Sequence, residues 1–390
     1  MMDWLAGASP RHLARIAGSL YFINIVFGFF AIGYVPGRRP LFGRKRAHWR
    51  PMLTAPDSST ATRSVRIAEV FPRDGLQTLL YEPGLRQPTT DEKVDFIRRV
   101  AGSGVPEIEI TGFVHPRVIP QLADAEAVAA AVVGSVPGTT LRALVPNYRG
   151  AERAVAAGVP KISCLVAASP TYQRLNSNMT IEENLRDIER SFELAEGAGI
   201  QVALGMAISF VCPYDGVVPI ESVLQIVERG IKLGIRDIHL SDSIGLAWPS
   251  LVRERCLAVL ERWPDVFLGL HLHTLTGMAL ANAWAGYQAG ARSFDGAAAG
   301  IGGGIAMPIH TTEMGNVATE DLVYLFESSG VTTGIDAAAA AANGRRAMEL
   351  VNTGGGHVTG FGTLQAFLEI NRAHLAEIAA APPGQSASKR

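Results

Sequence analysis

His271 and His273 flank Leu272 at the end of an apolar run, Val266-Phe267-Leu268-Gly269-Leu270. In an extended strand, residues two apart project to the same face. Both imidazoles therefore leave one face at a strand end, close enough to share a divalent metal. Two buried histidines side by side would otherwise carry a desolvation cost without compensation. Core packing stays open as the alternative until other groups are shown to reach the same point.

Carriers for such a site recur along the chain. Apolar runs that read as strands lie at 65–70, 107–111, 141–145, 161–166, 201–207, 237–240, 266–271 and 293–295. Helical stretches alternate with them at 90–101, 123–133, 150–157, 181–196, 220–233, 249–262 and 277–289, and an eighth follows at 320–327. Thr180 and Glu183 make a capping-box pattern before the fourth helix. Eight such repeats predict an α/β fold, a closed (β/α)8 TIM barrel. A doubly wound open sheet is the runner-up, and no GxGxxG follows the first strand. Further helices are expected at 336–351 and 363–380, with a disordered tail at 382–390. The domain reading is an N-terminal extension at 1–63, a barrel domain at 64–351 and a C-terminal helix and tail at 352–390.

Barrel enzymes carry their chemistry at the C-terminal ends of the strands. Those ends hold Arg73, Asp74 and Gln77 after the first strand, Glu109 and Thr111 on the second, and Asn147 and Ser169 after the third and fourth. Ser209 and the loop Cys212-Pro213-Tyr214-Asp215-Gly216 follow the fifth, Ser241-Asp242-Ser243 closes the sixth, and the histidine pair closes the seventh. Polar groups gathered at one rim point to a site there.

The composition is that of a globular enzyme, 48% hydrophobic and 18% charged, and a net charge of −1 gives no reason to expect nucleic acid. Three cysteines, Cys164, Cys212 and Cys256, show no regular spacing, which favours a reducing compartment over a disulfide framework. Residues 1–63 differ from the rest. They carry nine basic residues against two acidic ones, leaving a net −8 on the remainder. Within them, residues 16–35 contain no charge, about the ~20 residues of a membrane-spanning helix. Either this is an anchor holding the enzyme body on the cytoplasmic side, or translation starts at Met52. The expected location is cytoplasmic, with a membrane partner only if the segment is genuine.

Five stretches together resemble one family: Phe71-Pro72-Arg73-Asp74-Gly75-Leu76-Gln77, Ile108-Glu109-Ile110-Thr111-Gly112-Phe113-Val114, the Cys212–Gly216 loop, His271-Leu272-His273, and Gly315-Asn316-Val317-Ala318-Thr319-Glu320-Asp321-Leu322. They resemble hydroxymethylglutaryl-CoA lyase, a metal-dependent lyase of the DRE-TIM group, in the same order from about residue 65 to 351. The resemblance implies that Asp74, His271, His273 and Asn316 ligate Mg²⁺ or Mn²⁺. It further implies that Arg73 offsets charge on an enolate oxygen and binds substrate, that Glu109 holds Arg73, and that Gln77 contacts substrate. His271 or Asp242 would take a proton. The implied reaction is retro-Claisen cleavage of 3-hydroxy-3-methylglutaryl-CoA to acetyl-CoA and acetoacetate, as in leucine degradation and ketone body metabolism. The expected partner is an acyl-CoA, and a homo-oligomer is a further expectation.

The sequence departs from the family pattern in three places. Gly304 stands where the family has a cysteine, Thr274 where it has an aspartate beside the second histidine, and the segment before Asn316 is longer, with His310 and Glu313. Cys212 or His310 could replace the missing proton donor. His239 reads as a packed core histidine, and His115 as a loop residue or a contact to a CoA phosphate. Two other functions therefore accompany the first: a lyase acting on a different branched 3-hydroxyacyl-CoA, and a silent barrel that binds metal or acyl-CoA.

Overall fold

Strands rich in Val, Ile, Leu and Ala alternate with amphipathic helices, and burying both products closes the sheet on itself. The computed structural model describes residues 63–79, 84–303, 315–353, 357–358 and 369. The segment at 16–35, the Met52 start, Gly304, His310, Glu313 and all but one residue of the expected helix at 363–380 lie outside these. No helix among the described residues is long and apolar enough to cross a membrane.

In chain order the barrel elements are β1 (Arg66–Glu69), α1 (Thr90–Ala101), β2 (Glu107–Gly112), α2 (Ala125–Val132), β3 (Thr140–Val145) and α3 (Tyr148–Ala156). Next come β4 (Lys161–Ala167), α4 (Pro170–Ser177), α5 (Ile181–Gly197), β5 (Gln201–Ala207) and the short hairpin β6 (Val211–Cys212) with β7 (Gly216–Val217). The series ends with α6 (Ile220–Leu233), β8 (Asp237–Asp242), α7 (Pro249–Arg262), β9 (Phe267–Leu272), α8 (Ala279–Gln288), β10 (Ser293–Gly296), α9 (Thr319–Ser328) and α10 (Ala337–Val351). The eight long strands form a closed barrel in the order β1-β10-β9-β8-β5-β4-β3-β2. Neighbours are parallel, and Arg66 in register with Ser293 closes the ring. This is the predicted (β/α)8 barrel.

Local chemistry sets several boundaries. Thr89 with Glu92 and Thr180 with Glu183 form complete capping boxes at α1 and α5, while Gly234 ends α6 in the left-handed region at φ 104°. Asn147 and Ser169, read from sequence as rim groups, cap α3 and α4 by accepting from Gly150 N and Tyr172 N. Their position at the rim thus has a structural cause. The apolar core lies between strands and helices, as Ile67, Ile108, Ile110, Leu204, Ile238 and Leu270 at 0% exposure show.

Inside the barrel the filling is ionic. Arg142, 1% exposed, pairs with Glu107 at 2.9 Å, Glu109 at 3.1 Å and Asp295 at 3.0 Å. Lys161 joins Glu107 and Asp237, each at 2.7 Å. Arg66 reaches the same two carboxylates at 3.1 and 3.0 Å. Each charge is compensated, which is what allows it to be buried. This lattice is the floor on which the site stands.

Candidate active site

After β1 the chain tightens into a π-helical turn, Phe71–Gly75, in which Asp74 N and Gly75 N both donate to Val70 O. Such turns occur frequently at functional sites. A Cβ at Gly75 would meet the Phe71 ring at 2.7 Å, so a side chain there would have to displace that ring. The turn presents Arg73 and Asp74, 8% and 3% exposed, as adjacent buried charges. Arg73 pairs with Asp74 through Nη1 and with Glu109 through Nε. Glu109 reaches back with its other oxygen to Arg142, so the guanidinium of Arg73 is fixed from two sides. The expected link between Glu109 and Arg73 is present.

β9 brings the two histidines to the same place. Nε2 of His271 lies 3.0 Å from Nε2 of His273, which is 3.9 Å from Asp74 Oδ2. His273 and Asn316 form an isolated antiparallel bridge, and Val317 N donates to Leu272 O at 2.9 Å. Those backbone bonds set Asn316 beside Asp74, where its Nδ2 donates to Asp74 Oδ2 at 2.6 Å. Gly302 (φ 127°) allows the approach, since a Cβ there would stand 2.5 Å from Asn316 Nδ2. One donor atom each from Asp74, His271 and His273 falls within 4.8 Å of the others.

The Asn316 amide supplies a test of whether these residues fit a metal. Its Oδ1 is buried without a hydrogen-bond partner, a costly state for an amide oxygen. A carboxylate and two imidazole nitrogens within 4.8 Å of one another, with this amide beside the carboxylate, match the donor set of a divalent cation with mixed N/O preference. The residues fit. Burial raises the pKa of Asp74, and the Arg73 guanidinium followed by both imidazoles outweighs it, holding the carboxyl below its ordinary value.

A cavity of about 250 Å³ opens over the group. Arg73, Asp74, Gln77, Glu109, His271 and His273 all line it. Gln77 lines it with its amide already committed, Nε2 donating to Asp74 Oδ1 at 2.8 Å and to Gly303 O at 2.9 Å. It thus stands in the cavity wall, as expected of a substrate contact, and also holds the Asp74 carboxylate.

The other candidate residues take the following positions. Asp242 is absent from the cavity wall among the described residues. Its two oxygens accept from Leu246 N and Ala247 N, each at 3.1 Å, and burial raises its carboxyl to about 6. It holds the turn after β8. Cys212 also lies outside that wall, its thiol 3.1 Å from Ser169 Oγ. Cys164 and Cys256 are buried hydrophobes, with thiols pushed up to about 12 by burial. His239 is buried as expected, yet it lines the cavity, with Nε2 3.0 Å from Asp237 and Nδ1 3.6 Å from Asp295. His115 lines the cavity and accepts from Arg117 N at 3.1 Å.

Sequence reasoning passed over Asp295 and Arg142. Both are charged residues set within apolar strands, and that break in pattern was the available signal. Asp295 lies in β10 with Oδ2 3.2 Å from His271 Nδ1. Burial acts to raise its carboxyl, and Arg142 with the neighbouring histidines more than reverses this.

Known proteins share this arrangement of chain. The HMGL-like family profile matches residues 64–345. An (R)-citramalyl-CoA lyase of Chloroflexus aurantiacus is 40% identical over 285 residues, 71% of this chain and 87% of that protein. The hydroxymethylglutaryl-CoA lyase YngG of Bacillus subtilis is 38% identical over 273 residues, 70% of this chain and 88% of that protein. Among solved structures, an HMG-CoA lyase from Acinetobacter baumannii in complex with coenzyme A and 3-methylmalate matches with a TM-score of 0.71. It is 34% identical, covering 77% of this chain and 96% of that one. With its motifs, its barrel and these matches in agreement, the chain belongs to the HMGL-like family, the hydroxymethylglutaryl-CoA lyase family of DRE-TIM metallolyases.

Proposed function

We propose that this carbon–carbon lyase cleaves 3-hydroxy-3-methylglutaryl-CoA to acetyl-CoA and acetoacetate, with Mg²⁺ or Mn²⁺ held by Asp74, His271, His273 and Asn316. The observation that carries the reading is the convergence of Arg73, Asp74, His271 and His273 on one cavity, with the Asn316 amide nitrogen against Asp74 and its oxygen buried without a partner. A divalent metal bound there would act as a Lewis acid, lowering the pKa of the substrate's tertiary hydroxyl.

The chain's own residues supply the rest. The hydroxyl proton passes to solvent water in the cavity as the adjacent C–C bond breaks to leave acetoacetate. Negative charge moves onto the thioester oxygen of the acetyl-CoA fragment, and that enolate takes a proton from water at carbon to give acetyl-CoA. Arg73, held by Asp74 and Glu109, is placed to stabilise that charge before it forms, and preorganised charge is worth most in a site shielded from water. Gln77 and Asn316 fix both oxygens of Asp74. His271 has Nδ1 on Asp295 and Nε2 in the donor set, and Asp242 is occupied by its turn. We therefore route the hydroxyl proton through neither.

The similarity to a citramalyl-CoA lyase favours a second reading. Citramalyl-CoA has one methylene fewer between carbinol carbon and carboxylate and would give pyruvate in place of acetoacetate. One methylene is worth only about 1–3 kcal/mol in a pocket, so the two substrates are to be compared directly. Purified protein with Mn²⁺ is incubated with each, and acetoacetate and pyruvate are followed. Acetoacetate as the faster product supports the first reading; pyruvate as the faster product replaces it with the second.

A further inference from the structure

Asp295 is the register partner of His271 across β10 and β9. Its Oδ2 lies 3.2 Å from His271 Nδ1, while Nε2 of the same ring faces His273 at 3.0 Å. The other carboxylate oxygen is 3.0 Å from Arg142 Nη2 and 3.6 Å from His239 Nδ1. Arg142 is itself clamped by Glu107 and Glu109. Asp295 is thus buried and gripped from behind. As a carboxylate it can only accept, so the hydrogen on His271 belongs on Nδ1, and the lone pair of Nε2 is left to face Asp74 and His273. An imidazole held in this way is fixed in tautomer and ring orientation and is a more basic ligand.

We propose that Asp295 is the positioning residue of the metal site, fixing the tautomer and aim of His271, with Arg142 as its anchor. The role presupposes the metal-dependent reading given above. It explains why a carboxylate interrupts the eighth strand of the barrel, and why the ionic lattice extends up to the histidine pair. Asp295 acts through His271 and is not itself assigned to the reacting atoms.

The test is Mn²⁺ titration of the metal-free full-length protein, with free Mn²⁺ read by electron paramagnetic resonance. Wild type, Asp295→Ala, Asp295→Asn and Asp237→Asn are compared, each with its metal-free melting temperature. Asp237 belongs to the same lattice and touches His239 but not His271, so its variant reports general damage to the lattice. Asp295→Ala is expected to weaken Mn²⁺ binding roughly 10–100-fold, the usual scale for losing such a partner. Asp295→Asn, which keeps an acceptor for Nδ1–H, is expected to recover part of that loss, and Asp237→Asn to bind as wild type does. Wild-type affinity in Asp295→Ala, no recovery in Asp295→Asn, or an equal loss in Asp237→Asn overturns the role. If Asp295→Ala does not fold, Asp295→Asn decides: several-fold weaker binding than wild type supports the role and equal binding overturns it. A wild-type protein that binds no Mn²⁺ overturns the metal reading itself, and this inference with it.

Discussion

His271 and His273 direct their Nε2 atoms at each other across 3.0 Å in a buried site. An imidazole pair at that distance either shares one proton as an N–H···N hydrogen bond or turns both lone pairs to a common cation, and the Asp74 carboxylate stands 3.9 Å from His273. A divalent cation is the partner that all three can share. Mn²⁺ is therefore expected to raise the melting temperature of metal-free protein, and a chelator to reverse the rise. At free metal 100-fold above Kd the stabilisation is about 2.7 kcal/mol. Calorimetry with and without Mn²⁺ checks it, and an unmoved transition would remove the metal from the account.

Arg73 is separable from the metal in function although it pairs with Asp74. Arg73→Gln is expected to retain Mn²⁺ binding by calorimetric titration while kcat falls by on the order of 10²-fold or more, the scale for removing a charge stabiliser. Arg73→Lys should recover little, because an ammonium cannot span Asp74 and Glu109 as the guanidinium fork does. Near-full turnover in Arg73→Gln would show that charge stabilisation lies elsewhere.

Glu69 gives the fold a pH dependence of its own. It joins the end of β1 to the segments around β10 and α9, accepting from Phe71 N at 2.8 Å, Ala298 N at 2.9 Å and Thr319 Oγ1 at 2.7 Å. Burial pushes its carboxyl from 4.5 to about 7 against the pull of those bonds. Between these values the folded protein binds more protons than the unfolded chain, so this contribution is full below pH 4.5 and is lost as pH rises through 7. Glu69→Gln retains the geometry without the titration. The stability of wild type relative to Glu69→Gln is expected to fall by about 3 kcal/mol from pH 4.5 to 8. Urea unfolding of both proteins across that range measures it, and a constant difference would contradict the assignment.

The lattice beneath the site is expected to be sensitive to losing one member. Arg142→Met removes the one cation shared by Glu107, Glu109 and Asp295 in a buried space. Breaking a buried ion pair from one side costs about 3–5 kcal/mol, and urea unfolding should show a loss of that order. A loss below 1 kcal/mol would mean that water or a changed protonation state takes over the guanidinium's role.

Periodicity carried the elements well because each strand is a short apolar run with turn residues at both ends. The strand at 201–207 and the helices at 90–101, 220–233 and 249–262 have the observed bounds. Other ends differ by one or two residues, where hydrogen-bond register rather than side-chain type decides. Helix α4 was missed although Ser169-Pro170 is a helix-start pattern, Ser as cap and Pro at the first position. The π-helical turn has no side-chain signature, since only its backbone bonding differs. In the site, Arg73, Asp74, His271, His273 and Asn316 were legible because they sit in motifs. Asp295 and Arg142 were not, because their partners lie on strands brought together only when the barrel closes. Asp242 reads from sequence as an acid or base because it is a carboxylate at a strand end, and the structure adds a feature the sequence does not show, its hold on its own turn.

The central claim is metal-dependent carbon–carbon cleavage of a 3-hydroxyacyl-CoA at the Asp74 site. Its most direct test incubates metal-free protein with 3-hydroxy-3-methylglutaryl-CoA, adds Mn²⁺, and follows acetoacetate and acetyl-CoA in wild type and Asp74→Ala. The account predicts equal amounts of both products in wild type only after Mn²⁺ is added, and none above background in Asp74→Ala. Product formation that is indifferent to Mn²⁺ and to Asp74, or no cleavage of this substrate or of citramalyl-CoA by the Mn²⁺-loaded protein, would contradict it.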